Sequence, residues 1–152
     1  MLEKKSKING LCNKVQSELS PEEARAIADG KLQTLSSSKK TLLRELQLKM
    51  TMQGLYPKTI VDYTREPVVY APGNVRATLD YNIRTGMNRT DFLNPDSITI
   101  PAGNAPIVLE VKWAAFLTSV IRDIVQIPKT HTSAFSKYAV CRITDDGIKI
   151  AN

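Results

Sequence analysis

From Val75 to Arg84 the chain alternates apolar and polar residues without a break. Val75, Ala77, Leu79, Tyr81 and Ile83 are interleaved with Arg76, Thr78, Asp80, Asn82 and Arg84. Period two is the signature of a half-buried β-strand, because successive side chains point to opposite faces. Such a strand needs neighbours for its backbone donors and acceptors. The expectation is an antiparallel sheet with one face in the core and a polar face with cations at both ends.

Other segments supply the partners. Leu2 to Lys7 and Leu11 to Ser17 read as strands joined by the hairpin signal Asn9-Gly10. Glu3, Lys5 and Lys7 share a face of the first strand; Cys12, Lys14 and Gln16 share one of the second. Thr59 to Arg65 and Val68 to Tyr70 read as two strands parted by Glu66-Pro67, and Ala71-Pro72-Gly73-Asn74 as a turn. Residues 85–106 read as a long loop with one short strand at Ser97 to Ile100. Ile107 to Trp113 is a strand with Glu110 and Lys112 on one face. Ser20-Pro21-Glu22-Glu23 is a capping box that starts a helix ending near Asp29 and Gly30. Lys31 to Lys40 is a serine-rich loop. Thr41 to Gln53 is helical, with Leu42, Leu46 and Met50 in register and Gly54 as its stop. Ala115 to Gln126 is helical with Phe116, Val120, Ile121 and Ile124 on one side, and Ser133 to Arg142 reads as a further helix.

At 152 residues and 42% hydrophobic, one domain spanning 1–152 with a real core is expected. The formal charge of +6 points to an anionic partner without naming it. No apolar run approaches membrane-spanning length and no leader is visible, so the expected place is the cytoplasm. Cys12 and Cys141 are too few and too far apart for a disulfide framework or a zinc site. Aromatic residues at 6% argue against nucleic acid as the partner. Trp113 and Tyr138 read as packing residues, and His131, the only histidine, as an idle loop residue.

The polar faces together offer Glu3, Lys5, Lys14, Arg65, Arg76, Arg84, Glu110 and Lys112, with Lys137 from the last segment. If these converge, the cations clamp phosphate oxygens by charge-assisted hydrogen bonds. A glutamate among them repels phosphate unless it holds a metal, and magnesium or manganese bound by one carboxylate plus phosphates fits Glu110. Ser136-Lys137 reads either as an anion-binding pair or as a helix start with a solvated lysine; a nucleophile and base pair is the weaker alternative. For each cation taken singly, the competing reading is an ordinary solvated sheet face.

Several segments, in this order, resemble the VTC domain, the vacuolar transporter chaperone domain of polyphosphate polymerases. They are Pro57-Lys58-Thr59-Ile60-Val61-Asp62-Tyr63-Thr64-Arg65-Glu66, Asn74-Val75-Arg76-Ala77-Thr78-Leu79-Asp80, Leu109-Glu110-Val111-Lys112, Ile121-Arg122-Asp123 and Ala134-Phe135-Ser136-Lys137-Tyr138. The resemblance runs from about Leu2 to Arg142. It implies an α+β fold: an antiparallel β tunnel or barrel of the triphosphate tunnel type, flanked by helices, with basic residues lining the lumen. It implies transfer of the terminal phosphate of ATP onto polyphosphate with manganese or magnesium. By the same resemblance Glu110 is the metal ligand, Arg65, Arg76, Ser136 and Lys137 engage the reacting phosphates, and Lys5 and Lys14 are lumen lysines.

Three departures qualify the likeness. No Arg-x-Arg strand precedes Met1, so the tunnel is expected to be incomplete at its N-terminus, or completed by a second chain, a homo-oligomer being one form of this. Val15-Gln16 stands where the family usually continues with arginines, and Ala134 where some members carry a lysine. A non-catalytic module that binds polyphosphate or a nucleotide is therefore the alternative function. Triphosphate hydrolysis or cyclase chemistry is a third reading, disfavoured by the VTC-type motifs.

Overall fold

A computed structural model describes residues 1–150 except Gly10, Ser37 and Phe92; side chains are described for these residues apart from Lys7, Ile8, Leu11, Cys12, Leu32, Thr34 and residues 148–150. The Gly10 half of the expected hairpin turn, the faces assigned to Lys7 and Cys12, and Ser37 of the serine-rich loop lie outside the described residues. The chain divides into two compact units, residues 1–58 with 89–97, and residues 59–88 with 98–152.

In the first unit β1 (Leu2–Ile8) pairs antiparallel with β2 (Leu11–Ser17), and Lys5 lies directly opposite Lys14. Asn9 takes φ 50, the left-handed geometry that a tight hairpin demands. Helix α1 (Pro21–Ala28) opens on the expected capping box: Ser20 Oγ accepts from Glu23 N, and Glu23 returns the bond to Ser20 N. Helix α2 (Thr41–Gln53) ends at Gly54 with φ 62. The segment read as a bare loop contains a short 3-10 turn, Leu32–Leu35. Leu35 is wholly buried there with Ala26 and Leu43, and Leu2, Leu19 and Ile27 pack around them. One apolar residue in a polar stretch is enough to draw that turn onto the core.

The second unit is built on a four-stranded antiparallel sheet. Its central strand is β4 (Val75–Thr85), flanked by β3 (Val61–Tyr70) on one side and by β5 (Ile100–Pro101) and β6 (Val108–Lys112) on the other. The two strands expected on either side of Glu66-Pro67 are one continuous strand. Pro67 pairs opposite Thr78 on a strand whose only described neighbour is β4. A proline survives in a strand when it lies on an edge, because its missing donor then faces away from the ladder. The short strand expected at Ser97 to Ile100 forms at Ile100–Pro101 instead.

The alternation of β4 does not run to its end. Asn82 has φ 51 and interrupts the extended geometry. Ile83 and Thr85 thereby join the face that carries Asp80, although the sequence pattern puts them on opposite faces. From Thr78 onward that face, expected to be the polar one, is the more buried: Thr78, Asp80, Ile83 and Thr85 are buried, whereas Ala77, Leu79 and Tyr81 are half-buried; at the start of the strand the pattern holds, with Val75 buried and Arg76 exposed. Helix α4 (Lys137–Ile150) accounts for it. Lys137 pairs with Asp80, Cys141 Sγ meets Arg84 O at 3.4 Å, and Asp145 Oδ1 accepts from Thr85 Oγ1 at 2.6 Å. These three residues recur every four positions, one stripe of a helix laid along β4. Ile83, Ala102 and Cys141 form the core, with Tyr63, Val108 and Phe135 packed against it.

Helix α3 (Ser119–Val125) is shorter than the periodicity predicts and starts at the Thr118 cap. Phe116, Val120 and Ile124, read as a core face, are exposed, as are Trp113 and Tyr138. His131 is exposed, as expected. The strands are antiparallel throughout and the fold is α+β, but no barrel closes among the described residues.

Gly73, in the turn between β3 and β4, has φ 75, and a Cβ there would lie 2.2 Å from Phe116 O. A Gly73→Ala variant is expected to lose roughly 1–3 kcal/mol of stability in urea unfolding. Gly30→Ala shares the positive φ but meets nothing within 4 Å, so its loss is expected to stay near the roughly 1 kcal/mol of backbone strain alone. Equal losses would mean that the Phe116 contact is not formed.

Candidate phosphate-binding face

Strand register decides which side chains meet. On the α4-covered face of the second unit, Arg65, Asp80 and Val108 form one cross-strand row. Pro67, Thr78 and Glu110 form the next, and Val69, Arg76 and Lys112 the third. Neighbouring rows lie about 7 Å apart along the strands. Four expected site residues, Arg65, Arg76, Glu110 and Lys112, thus share one face.

Asp80 is the centre of this arrangement. Its carboxylate accepts from Arg65 Nε at 2.6 Å and Nη2 at 2.7 Å, a bidentate pair, and from Lys137 Nζ at 2.6 Å. The Asp80 side chain is 1% exposed, against 39% for Arg65 and 20% for Lys137. The Tyr63 ring lies 5.3 Å from the guanidinium and 4.7 Å from the ammonium, close enough for cation–π attraction to both. Hydrogen bonding to Arg65, helped by Lys137, holds the Asp80 carboxyl down at about 2 against the opposing effect of burial. Arg65 holds its proton more firmly for the same reason, with Glu110 contributing from the next row. Lys137 is therefore a paired, largely buried cation, and the solvated-lysine reading of the last segment is overturned.

Ser136 caps α4: its Oγ accepts from Ala139 N at 3.2 Å. The helix thus starts at Lys137 rather than at Ser133, which throws Lys137 inward at the head of the stripe. Glu110 pairs with Lys112 at 3.0 Å, and both are partly exposed. Thr78, opposite Glu110, is 4% exposed and its Oγ1 has no hydrogen-bond partner among the described residues. Beyond the third row a cleft of about 410 Å³ opens between Val69, Asn74, Arg76, Lys112, Trp113 and Ala114. Arg84, offered by the sequence as a fourth strand cation, is turned to Thr99, donating from Nε to Oγ1 at 2.8 Å.

Lys5 and Lys14 belong to the first unit, where they share a carboxylate of their own. Lys14 Nζ is 2.7 Å and Lys5 Nζ 3.2 Å from Glu3, and Gln16 donates to Glu3 at 2.7 Å. Lys14 first, then Gln16, draws the Glu3 carboxyl down to about 2. The sequence pattern misses Asp80, Tyr63 and Thr78. Asp80 stands on the cationic face in the alternation, and an acid between basic residues was the available signal.

A family model described as the VTC domain matches residues 1–144. The chain belongs to the VTC domain family. No curated protein and no solved structure matches it. The segments quoted for the resemblance all fall inside the matched region. No helix among the described residues is long and apolar enough to cross a membrane.

The depressed carboxyl of Asp80 has a signed consequence. A carboxylate with a lowered folded pKa adds stability above its unfolded value near 4, and that contribution disappears as pH falls through the folded value of about 2. Acid titration of unfolding between pH 4 and 2 is expected to fall more steeply for the wild-type chain than for Asp80→Asn. Parallel curves would show that the Asp80 pairs do not form.

Proposed function

We propose that this VTC domain binds a phosphate chain along the three-row face and acts as a polyphosphate polymerase, moving the terminal phosphate of ATP onto the chain. The observation that carries the reading is the meeting of Arg65, from β3, and Lys137, from α4, on one buried carboxylate, with Arg76 and Lys112 continuing the cationic row on the same face. Cations on rigid elements, pre-set by packing, suit phosphoryl transfer, where positioning and charge stabilisation do most of the work. In the tunnel that belongs to this proposal, the edge of β3 left open among the described residues would be taken up by a further strand. Arg65, Arg76, Lys112 and Lys137 bind phosphate oxygens and Ser136 holds the head of α4, whereas Lys5 and Lys14 remain paired with Glu3 within the first unit.

A divalent metal ion suits one place on the face. Among the described residues no three His, Cys, Asp or Glu side chains cluster as a ready metal cage. Glu110 and the unpartnered Thr78 hydroxyl form a small set of hard oxygen donors opposite one another. Magnesium or manganese accepts one carboxylate with substrate phosphates completing the shell. Bound there, it would neutralise phosphate charge beside the Glu110 carboxylate, which otherwise repels the substrate.

The test is incubation of the purified chain with ATP and manganese, with polyphosphate resolved on gels. Arg65→Ala and Lys137→Ala are each expected to lower the rate by about 100-fold or more, and Glu110→Ala to abolish it. Salt-sensitive binding of polyphosphate without product would instead establish the non-catalytic binding module. The absence of both product and binding would overturn both readings.

A further inference from the structure

Asp80 is a fully buried acidic side chain on the phosphate face, and it contacts both Arg65 and Lys137. A buried carboxylate between two phosphate ligands can act in two opposite ways. It can compete with the incoming anion, or it can hold the cations where the anion needs them.

The geometry favours the second. At 1% exposure the carboxylate lies beneath the cations and takes no space from a ligand arriving from solvent. It engages one edge of the guanidinium, Nε and Nη2, and leaves the Nη1 donors uncommitted to it. The Tyr63 ring borders both cations. Arginine and lysine are flexible, and ordering them costs conformational entropy that must be spent either in folding or in binding. Asp80 and Tyr63 together order them before the ligand comes. Lys137 is also the first residue of α4, so the same contact seats the helix on β4.

We propose that Asp80 is a positioning residue for anion binding, fixing the Arg65 guanidinium and the Lys137 ammonium in one arrangement with their free donors available to a phosphate chain. The inference rests on the reading of this face as a phosphate site. It makes a prediction opposite in sign to simple electrostatics. Removing a negative charge beside two cations raises the local positive potential and should tighten anion binding. Loss of positioning should weaken it.

The experiment is calorimetric titration of inorganic tripolyphosphate into the full chain at constant pH and ionic strength, with thermal unfolding to confirm that each variant is folded. Asp80→Asn is expected to bind about ten-fold more weakly than the wild type. Arg65→Lys is expected to weaken binding in the wild-type background but to add less than about two-fold on top of Asp80→Asn, because the ordered fork is already lost. Asp80→Glu keeps the charge and displaces the carboxylate, so it too is expected to bind more weakly; this variant carries the test if Asp80→Asn does not fold. Equal or tighter binding by folded Asp80→Asn or Asp80→Glu overturns the proposal, as does an Arg65→Lys loss of the same size in both backgrounds. A wild-type chain that binds no tripolyphosphate overturns the phosphate reading of the face, and this inference with it.

Discussion

The organisation of the second unit depends on one buried carboxylate with two cations on it. A charge as deeply buried as Asp80 is strongly unfavourable unless it is paired and hydrogen-bonded. Arg65 and Lys137 meet that need from two elements, an edge strand and the head of a helix. The pairing therefore ties β3, β4 and α4 together at a single point. It also explains why these cations stand ready in a defined geometry instead of ranging through solvent. The first unit repeats the scheme more openly, with Glu3 gathering Lys5 and Lys14.

From that point the rest of the face follows. Register on β4 places Thr78 and Arg76 in successive rows, and β6 sets Glu110 and Lys112 beside them. The stripe Lys137, Cys141 and Asp145 lays α4 along the same strand, so the helix shelters one end of the face and leaves the Arg76 end open to the cleft near Trp113. Acid and base are thus graded along the strand. The deeply buried pair lies under the helix, and the exposed pair, Glu110 and Lys112, lies beyond it. In the proposed polymerase, the exposed end is where charge is most easily rearranged around an incoming phosphate chain.

Much of the fold was legible in the sequence because its signals are local. The Ser20 capping box, the Gly54 stop and the extent of β4 as a strand depend on residues a few positions apart, and all appear where the pattern puts them. The failures come from tertiary context. Pro67 reads as a strand breaker until β3 is known to be an edge. The left-handed Asn82 moves Ile83 and Thr85 onto the Asp80 face of β4 in a way that no hydropathy pattern records. Leu35 looks like a loop residue until there is a core to receive it. The candidate site divides along the same line. Arg65, Arg76, Glu110, Lys112 and Lys137 could be named from residue type and family motif. Asp80, Tyr63 and Thr78 acquire meaning only from a register between distant segments. The middle of the polar face of β4, Thr78 and Asp80, is buried because α4 covers it, a partner that no local pattern shows.

The central claim is that Arg65, Arg76, Lys112 and Lys137 present their charge to one shared anion. The most direct measurement is a crystal structure of the chain with tripolyphosphate bound. The account predicts phosphate oxygens within hydrogen-bonding distance of both Arg65 and Lys137, with the chain running past Glu110 toward Arg76 and Asp80 still beneath the cations. Tripolyphosphate ordered elsewhere on the protein, with Arg65 and Lys137 untouched by it, would contradict the account.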